Sequence, residues 1–310
     1  MTDIMRAALI DGPDTGPRIR DIPIPEPGPN EELIALSAAA LNPHDQVVAA
    51  GINFARPYPY VTGGEGVGQT RAGRRVYVGQ QRPPHGTMAE YTVATAERII
   101  PIPDELSDAQ ALSIGNAGTT GWLALTWKGQ LEAGQSVLVT AATGAVGQVA
   151  VQAAKVLGAG RVVAAGRNRQ ALDLLRARGA DEAIVIDDEF EQNLAVTAGE
   201  GFDLVLDGLY GDYVGPLVRA TRAGGRVVNF GMRAGRSATI SGLELKGRDL
   251  MMFAATLAGP RRIREAYERM VDLVLDGAMT VQTRQLALED IATAWQLQSD
   301  SPNAKLVLTV

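Results

Sequence analysis

The chain has no cysteine and only two histidines, His44 and His85. Without thiols it has no thiolate nucleophile, disulfide framework, iron–sulfur cluster or sulfur-ligated zinc. Two imidazoles are too few for an all-histidine metal site. Aromatic residues are scarce at 5%, lysine occurs only at positions 128, 155, 246 and 305, and no block of five like charges is present. The 29 basic and 35 acidic residues leave a net charge of −6, which disfavours nucleic-acid binding through a basic surface. The N-terminus, M-T-D-I-M-R-A-A-L-I, lacks a basic region followed by a long apolar core and a cleavage site, so a cytoplasmic location is the expectation.

One stretch, residues 133–154, carries no charge and is long enough to raise the question of a membrane span. Its composition answers that question: Gly134, Gly144, Gly147, three glutamines and two threonines divide it into a β-rich run, a glycine turn and a helical run. No membrane partner is expected. With 310 residues, 46% hydrophobic and 21% charged, the chain is long enough for about two globular domains, each with its own core.

The first hundred residues contain short apolar runs broken by Pro and Gly, among them E-L-I-A-L-S-A-A-A, R-R-V-Y-V and M-A-E-Y-T-V, and read as a mainly β unit. Within them, I-P-I-P-E-P-G-P-N reads as a surface connection, because its four prolines oppose both strand pairing and helix. At Ser107 the pattern changes. S-D-A-Q is a capping box, with Ser107 as N-cap and Gln110 reaching back to its amide, and the helix it starts is broken near G-N-A-G and resumes from Thr119.

Apolar strands then alternate with helices: V-L-V-T with 145–157, R-V-V-A-A with 169–178, A-I-V-I with 189–198, D-L-V-L with 212–221, and finally R-V-V-N-F. This alternation predicts a parallel sheet covered on both faces. After Gly259 an amphipathic helix carries Ile263, Tyr267, Met270, Val271 and Val274 on one stripe. The terminal K-L-V-L-T-V reads as a strand returning to the N-terminal unit, which makes the α/β part an insertion.

The strongest chemical signal is V-L-V-T-A-A-T-G-A-V-G, residues 137–147, a strand running directly into a glycine turn and a helix. It meets the dinucleotide fingerprint with Ala142, Gly144 and Gly147 at the three glycine positions. Gly144 lets the backbone approach a pyrophosphate, Gly147 lets the helix pack closely on the strand, and the phosphates would face the amides of the helix N-terminus. The end of the second strand selects the cofactor. An NAD site places an acid there for the ribose 2′-hydroxyl, whereas this chain has Gly166, Arg167, Asn168 and Arg169. Gly166 removes repulsion of a 2′-phosphate, and Arg167 and Arg169 can pair with that dianion, which selects NADPH. The plainer alternative is that both arginines belong to a solvated helix start.

Further landmarks are A-L-N-P-H-D (40–45), P-Y-V-T-G-G-E-G-V-G (59–68), G-T-M-A-E-Y-T-V (86–93), A-G-T-T-G-W (117–122), F-D-L-V-L-D (202–207) and A-K-L-V-L (304–308). On these the chain resembles, essentially end to end, the zinc-independent quinone oxidoreductase branch of the medium-chain dehydrogenase/reductase superfamily. The resemblance implies an α/β fold in three segments: a GroES-like β domain (1–115), an inserted Rossmann domain with a doubly wound parallel sheet that binds NADPH (116–255), and a C-terminal return (256–310).

The departures from zinc-dependent relatives fall at Asn42, where those relatives have Cys, and at Gly64, where they have the His of G-H-E. His44 lies near the former ligand position, but one imidazole and one carboxylate do not supply three protein ligands, so no metal is expected. The connection between G-V-G-Q-T and R-R-V-Y-V is shorter than in relatives, with Arg75 and Val76 at its surviving end.

The resemblance also implies residue roles. Asn42 matches a hydrogen-bond donor to substrate, the alternative being an Asn that caps the turn before Pro43. Tyr60, with Tyr58, would form an aromatic wall, with packing an equal reading; Asn116 is a further candidate for substrate polarisation. The family tyrosines on the following helix are not retained, and Val47 and the Asn53–Phe54 region stand in that neighbourhood. Thr120 matches a Thr near the nicotinamide, or serves ordinary helix N-terminal chemistry. Thr143, Ala145 and Val146 belong to the phosphate turn, and Phe230 and Gly231, closing the R-V-V-N-F strand, complete the cofactor-binding set.

The expected activity is NADPH-dependent, metal-free reduction of quinones or conjugated carbonyls. The competing expectation is a non-catalytic NADPH-binding protein with a structural or regulatory role. A homodimer is expected through Asp249–Ala254, an apolar sheet edge that would otherwise stand unpaired.

Overall fold

The computed structural model describes residues 3–13, 15–52, 57–81 and 83–310. The N-terminal apolar runs become β1 (Ile4–Ile10), β2 (Arg18–Pro23), β3 (Glu31–Leu41), helix α1 (Pro43–Ala49), β4 (Tyr60–Val61), β5 (Glu65–Thr70), β6 (Arg75–Val78), β7 (Tyr91–Thr95) and β8 (Ile99–Pro101). β1 is flanked by β2 and β4 in a small antiparallel sheet. The first two residues of the proline-rich segment depart from the expected open connection, because Ile22 and Pro23 end β2 and pair with Met5 and Ile4. Proline is tolerated there because β2 is an edge strand, where a missing N–H removes no ladder bond.

β3 is the spine of the larger sheet. Its first half alternates exposed and buried side chains, and its last four residues, from Ala38 to Leu41, are all buried. A register shift between Leu36 and Ala38 marks the change, and β5 follows it on one side. The shortened connection is the hairpin between β5 and β6, closed where Thr70 N–H donates to the Arg74 carbonyl at 3.0 Å. Ser107 caps helix α2 (Asp108–Ser113) as expected: Gln110 N–H donates to Ser107 Oγ at 3.3 Å, and Ser107 N–H donates to Gln110 Oε1 at 3.0 Å. The next helix, α3 (Asn116–Leu123), begins three residues earlier than the pattern suggested.

The chain divides into two compact units: 1–116 with 260–275 and 281–310, and 117–259 with 276–280. The second unit holds β9 (Ser136–Val139), α4 (Ala145–Val156), β10 (Arg161–Gly166), α5 (Arg169–Arg176), β11 (Glu182–Val185), α6 (Phe190–Ala198), β12 (Phe202–Asp207), α7 (Val214–Arg219), β13 (Thr221–Asn229), α8 (Gly242–Leu245) and β14 (Asp249–Met252). Its sheet is parallel, in the order β11-β10-β9-β12-β13-β14. That is the doubly wound order with its reversal between β9 and β12, the place where such sheets bind ligands at their carboxyl ends. Leu138, Val163, Val205 and Val227 on neighbouring strands pack with Leu194, Leu217 and Val218 from the helices, so one face is sealed by apolar contact.

The remaining elements belong mostly to the first unit. α9 (Pro260–Leu275) buries Tyr267, Met270, Val271 and Val274 along the expected stripe. β15 (Thr283–Ala287), α10 (Ile291–Ser299) and β16 (Lys305–Thr309) complete the chain. β16 runs antiparallel to β3, with Leu306 opposite Leu41, so the last strand does return to the N-terminal sheet. Among the described residues no helix is long and apolar enough to cross a membrane.

Candidate active site

The glycine turn lies between β9 and α4. Ala141 has a positive φ of 49°, which reverses the chain, and Gly144 is the N-cap of α4 in an extended conformation. Gly147 cannot carry a side chain, because a Cβ there would lie 2.4 Å from the Cα of Ala142. The helix thus sits directly on the turn. Ala142 and Thr143 are buried, whereas Gly144, Ala145 and Val146 remain partly accessible at the N-terminus of a twelve-residue helix. The amides of a first helical turn with backbone exposed at a strand end form a fitting cradle for a pyrophosphate.

β10 ends against this turn, since a Cβ on Gly166 would meet Thr143 Cγ2 at 2.8 Å. Immediately beyond it, Arg167 and Arg169 are exposed, and Asn168 caps α5 by accepting from Ala171 N–H at 3.1 Å. Arg169 forms an open ion pair with Asp187 at 3.3 Å. Such an exposed pair contributes about 0–1 kcal/mol and exchanges readily for a stronger partner. The residues at the ends of β9 and β10 therefore fit a dinucleotide bearing a 2′-phosphate: close backbone, no acid at Gly166, and cations beside it.

The ends of β12 and β13 are joined by a buried polar network that sequence reasoning missed. Asp207 accepts from Thr140 Oγ1 at 3.2 Å, from Leu209 N–H at 2.8 Å and from Asn229 Nδ2 at 2.8 Å. Asn229 also donates to the Gly231 carbonyl at 2.7 Å. Phe230 N–H donates to the Asp207 carbonyl, and its ring lies against Gly208, where a Cβ would sit 2.8 Å from Cζ and 3.0 Å from the Ala141 Cβ. Phe230 and Gly231 are thereby held beside the glycine turn. Thr120, in α3, is partly buried.

In the first unit, Asn42 sits between β3 and α1 and is buried. It does cap the helix, as Asp45 Oδ2 accepts its backbone N–H at 2.7 Å, but its side chain is engaged elsewhere. Asn42 Nδ2 donates to Glu65 Oε1 at 2.9 Å, and Lys305 Nζ donates at 2.5 Å to both Asn42 Oδ1 and Glu65 Oε1. The other carboxylate oxygen, Glu65 Oε2, accepts from Tyr77 OH at 2.8 Å and from Asn116 N–H at 2.7 Å. Lys305 and Glu65 are only 2% and 1% exposed, so this is a buried ion pair whose charges are satisfied by hydrogen bonds. Burial, with the Glu65 charge second, holds the Tyr77 phenol well above its usual range and keeps it a donor. Tyr267 stacks on Tyr77 with ring centroids 4.4 Å apart.

Asp45 lies in the same neighbourhood. Burial, reinforced by the Glu65 charge and opposed by the Asn42 N–H and the Lys305 charge, pushes its carboxyl up to about 7. In the sequence, Lys305 and Glu65 stand out only as members of the A-K-L-V-L and G-G-E-G landmarks. The signal that could have singled them out is a rare lysine in an otherwise apolar strand, since buried charge needs a partner.

Tyr60 is placed in a different cluster from Asn42. It packs with Ile10, Val48 and Ala49, its ring centroid is 5.6 Å from that of Tyr58, and it lines an apolar hollow of about 240 Å³ with Met5, Leu9, His85 and Tyr91. Tyr58 OH donates to the Ala49 carbonyl at 3.0 Å. His44 is exposed on α1. The Asn53–Phe54 region lies outside the described residues. Among the described residues no three His, Asp or Glu side chains are grouped to hold a metal ion, and the former ligand positions are occupied by Asn42 and Gly64.

A family model described as zinc-binding dehydrogenase matches residues 145–276. A mycocerosic acid synthase-like polyketide synthase of Mycobacterium tuberculosis is 30% identical over 308 residues, covering 92% of this chain, and the chain spans only 14% of that synthase's length. The crystal structure of the quinone oxidoreductase from Thermus thermophilus, solved also as its complex with NADPH, superposes with a TM-score of 0.87 at 27% identity, covering 99% of this chain and all of that one. An alcohol dehydrogenase superfamily protein from Novosphingobium aromaticivorans gives 0.87 at 26% identity, covering 99% of both chains. The chain belongs to the medium-chain dehydrogenase/reductase superfamily, and the residues at its former ligand positions are consistent with the zinc-independent quinone oxidoreductase branch.

Proposed function

We propose that the protein is an NADPH-dependent oxidoreductase that reduces quinones or conjugated carbonyls without a metal. The observation that carries this reading is the contact of Gly166 with Thr143, which puts an acid-free strand end and two arginines beside the phosphate turn. The NADPH complex of the Thermus enzyme supports the cofactor. The polyketide synthases that match nearly the whole chain bring conjugated thioesters into the substrate class.

Bound NADPH would supply a hydride, and the chain's own residues explain which acceptors suit it. The α4 N-terminus and Arg167 would fix the dinucleotide, and orientation of the two reactants is itself a large contribution to rate. A simple ketone becomes an alkoxide on reduction and needs a Lewis acid or a strong proton donor. In a conjugated acceptor the charge spreads into an enolate or a hydroquinone anion, which a neutral donor such as the Asn42 amide can stabilise, with solvent supplying the proton. Asn42→Ala should therefore lower turnover ~10- to 100-fold without abolishing it.

The test is NADPH oxidation over a panel of quinones, enals, 2-enoyl thioesters, simple ketones and alcohols. Turnover of a conjugated acceptor with little on simple ketones is expected. Chelator-sensitive oxidation of simple alcohols with no conjugated turnover would overturn the reading. Tight NADPH binding with no turnover of any acceptor would favour a non-catalytic binding protein instead.

A homodimer is part of the same proposal. β14 is an edge strand next to β13, and Met252 at its end is 49% exposed. Long apolar edges are normally paired or covered.

A further inference from the structure

Strand register brings together three side chains that are far apart in sequence. Lys305 begins β16, and the antiparallel pairing that sets Leu306 opposite Leu41 carries Lys305 to the level of Asn42. On the other side of β3, Glu65 pairs with Ala40. The result is the buried group in which Lys305 Nζ donates to Asn42 Oδ1 and Glu65 accepts from Asn42 Nδ2.

The chemistry of the partners sets the orientation of the amide. An ammonium can only donate and an ionised carboxylate can only accept. The Asn42 carbonyl must therefore face Lys305 and its NH2 must face Glu65, because the reverse orientation would set donors against donors and acceptors against acceptors. Glu65 takes one of the two Nδ2 hydrogens and is itself saturated by four bonds, from Asn42, Lys305, Tyr77 and Asn116. Lys305, by donating to the carbonyl, withdraws electron density through the amide and strengthens the remaining Nδ2 hydrogen as a donor, an effect that is larger away from water.

We propose that Lys305 is a positioning residue for the reduction: its ammonium orients and polarises the Asn42 carboxamide, leaving one strengthened N–H for the substrate oxygen. This rests on the reading of Asn42 as the substrate donor. Glu65 is the counter-charge that makes a buried lysine tolerable, and Gly115 makes room for it, since a Cβ there would lie 2.1 Å from Glu65 Oε2.

The test is a mutant cycle between Lys305 and Asn42. Lys305→Met alone leaves Glu65 buried without its cation and risks unfolding. The informative variant is therefore the charge-neutral pair Glu65→Gln with Lys305→Met, checked by thermal melting. A glutamine at 65 accepts from Tyr77 and Asn116 and presents its own NH2 to Asn42, so the Asn42 amide reverses. Measured with NADPH and the best conjugated acceptor, the neutral pair should lower kcat about tenfold, with KM for NADPH unchanged. Adding Asn42→Ala to it should cost nothing further. An unchanged kcat, or a further loss equal to that of Asn42→Ala in the wild-type background, would overturn the proposal while leaving Asn42 as the donor. If Asn42→Ala has no effect in the wild-type background, the reading of Asn42 falls and the role of Lys305 falls with it.

Discussion

Glu65 Oε2 occupies the space that a side chain at Gly115 would fill: a Cβ at Gly115 would lie 2.1 Å from that oxygen and 2.7 Å from the Tyr77 ring. The two residues are fifty positions apart, and the approach lets the Asn116 N–H reach the carboxylate at 2.7 Å. Gly115→Ala should push the carboxylate off Tyr77 and Asn116 and leave a buried charge under-bonded. A destabilisation of about 2–5 kcal/mol is expected, from overpacking and from lost hydrogen bonds to a buried charge. Chemical denaturation measures it, and an unshifted midpoint would mean that the loop yields without disturbing Glu65.

Asp45 makes stability depend on pH. Its folded carboxyl titrates at about 7, against an ordinary value of 3.8. Between those values the folded state holds a proton that the unfolded state has released, so the contribution of Asp45 to stability falls as pH rises from about 4 to about 7 and is flat on either side. The size of that shift sets an upper bound of about 4 kcal/mol. Asp45→Asn keeps an acceptor for the Asn42 N–H and removes the titration. The variant should gain on wild type progressively across that window and hold a constant advantage above it. Equal pH profiles for the two proteins would rule this out.

What could be read from the sequence was what is local. The Ser107–Gln110 cap and the turn from Ala142 to Gly147 are set by neighbours within a few residues, and each stands where its pattern placed it. The parallel strands were legible because burial on both faces leaves short unbroken apolar runs. β15 was not, because Thr283, Arg284 and Gln285 are exposed and show no apolar alternation. The Lys305–Glu65 pair was equally hidden: its members are 240 positions apart, and only the β3–β16 and β3–β5 registers bring them together. Asn42 was singled out as a candidate, but not what its amide holds. The pattern N-P-H-D announces a helix start, and a helix cap accounts for the backbone N–H while saying nothing of the side chain.

The sheet edge at β14 offers a direct test of assembly. Asp249 is exposed, Leu250 and Met251 are partly buried, and Met252 is 49% exposed; Leu257, further along the chain, is 79% exposed. The wild-type protein should run as a dimer in size-exclusion chromatography with light scattering at micromolar concentration. Met252→Lys puts a charge on the edge, which natural sheets use to prevent pairing, and should shift the population toward monomer. A wild-type monomer, or a variant of unchanged size, would reject this edge as the interface.

The cofactor preference is expected to be set at the end of β10. Gly166 touches the phosphate turn through Thr143, so the side chain that follows, Arg167, stands within one residue of the turn and is exposed to solvent. Arg167 adjoins Gly166 directly and Arg169 lies two residues further on, so of the two Arg167 should contribute more. A charge-assisted contact to a phosphate dianion is worth about 1.5–3 kcal/mol, so Arg167→Ala should weaken NADPH binding roughly tenfold or more. Arg169→Ala should do less. NADH lacks the 2′-phosphate, and its affinity should be nearly the same in wild type and both variants. Titration calorimetry with the two cofactors separates these effects, because loss of the NADPH advantage alone identifies the phosphate contact, whereas parallel loss for both cofactors would indicate damage to the fold. Equal affinity of the wild-type protein for NADPH and NADH would remove the phosphate role from both arginines and leave them as the solvated start of α5.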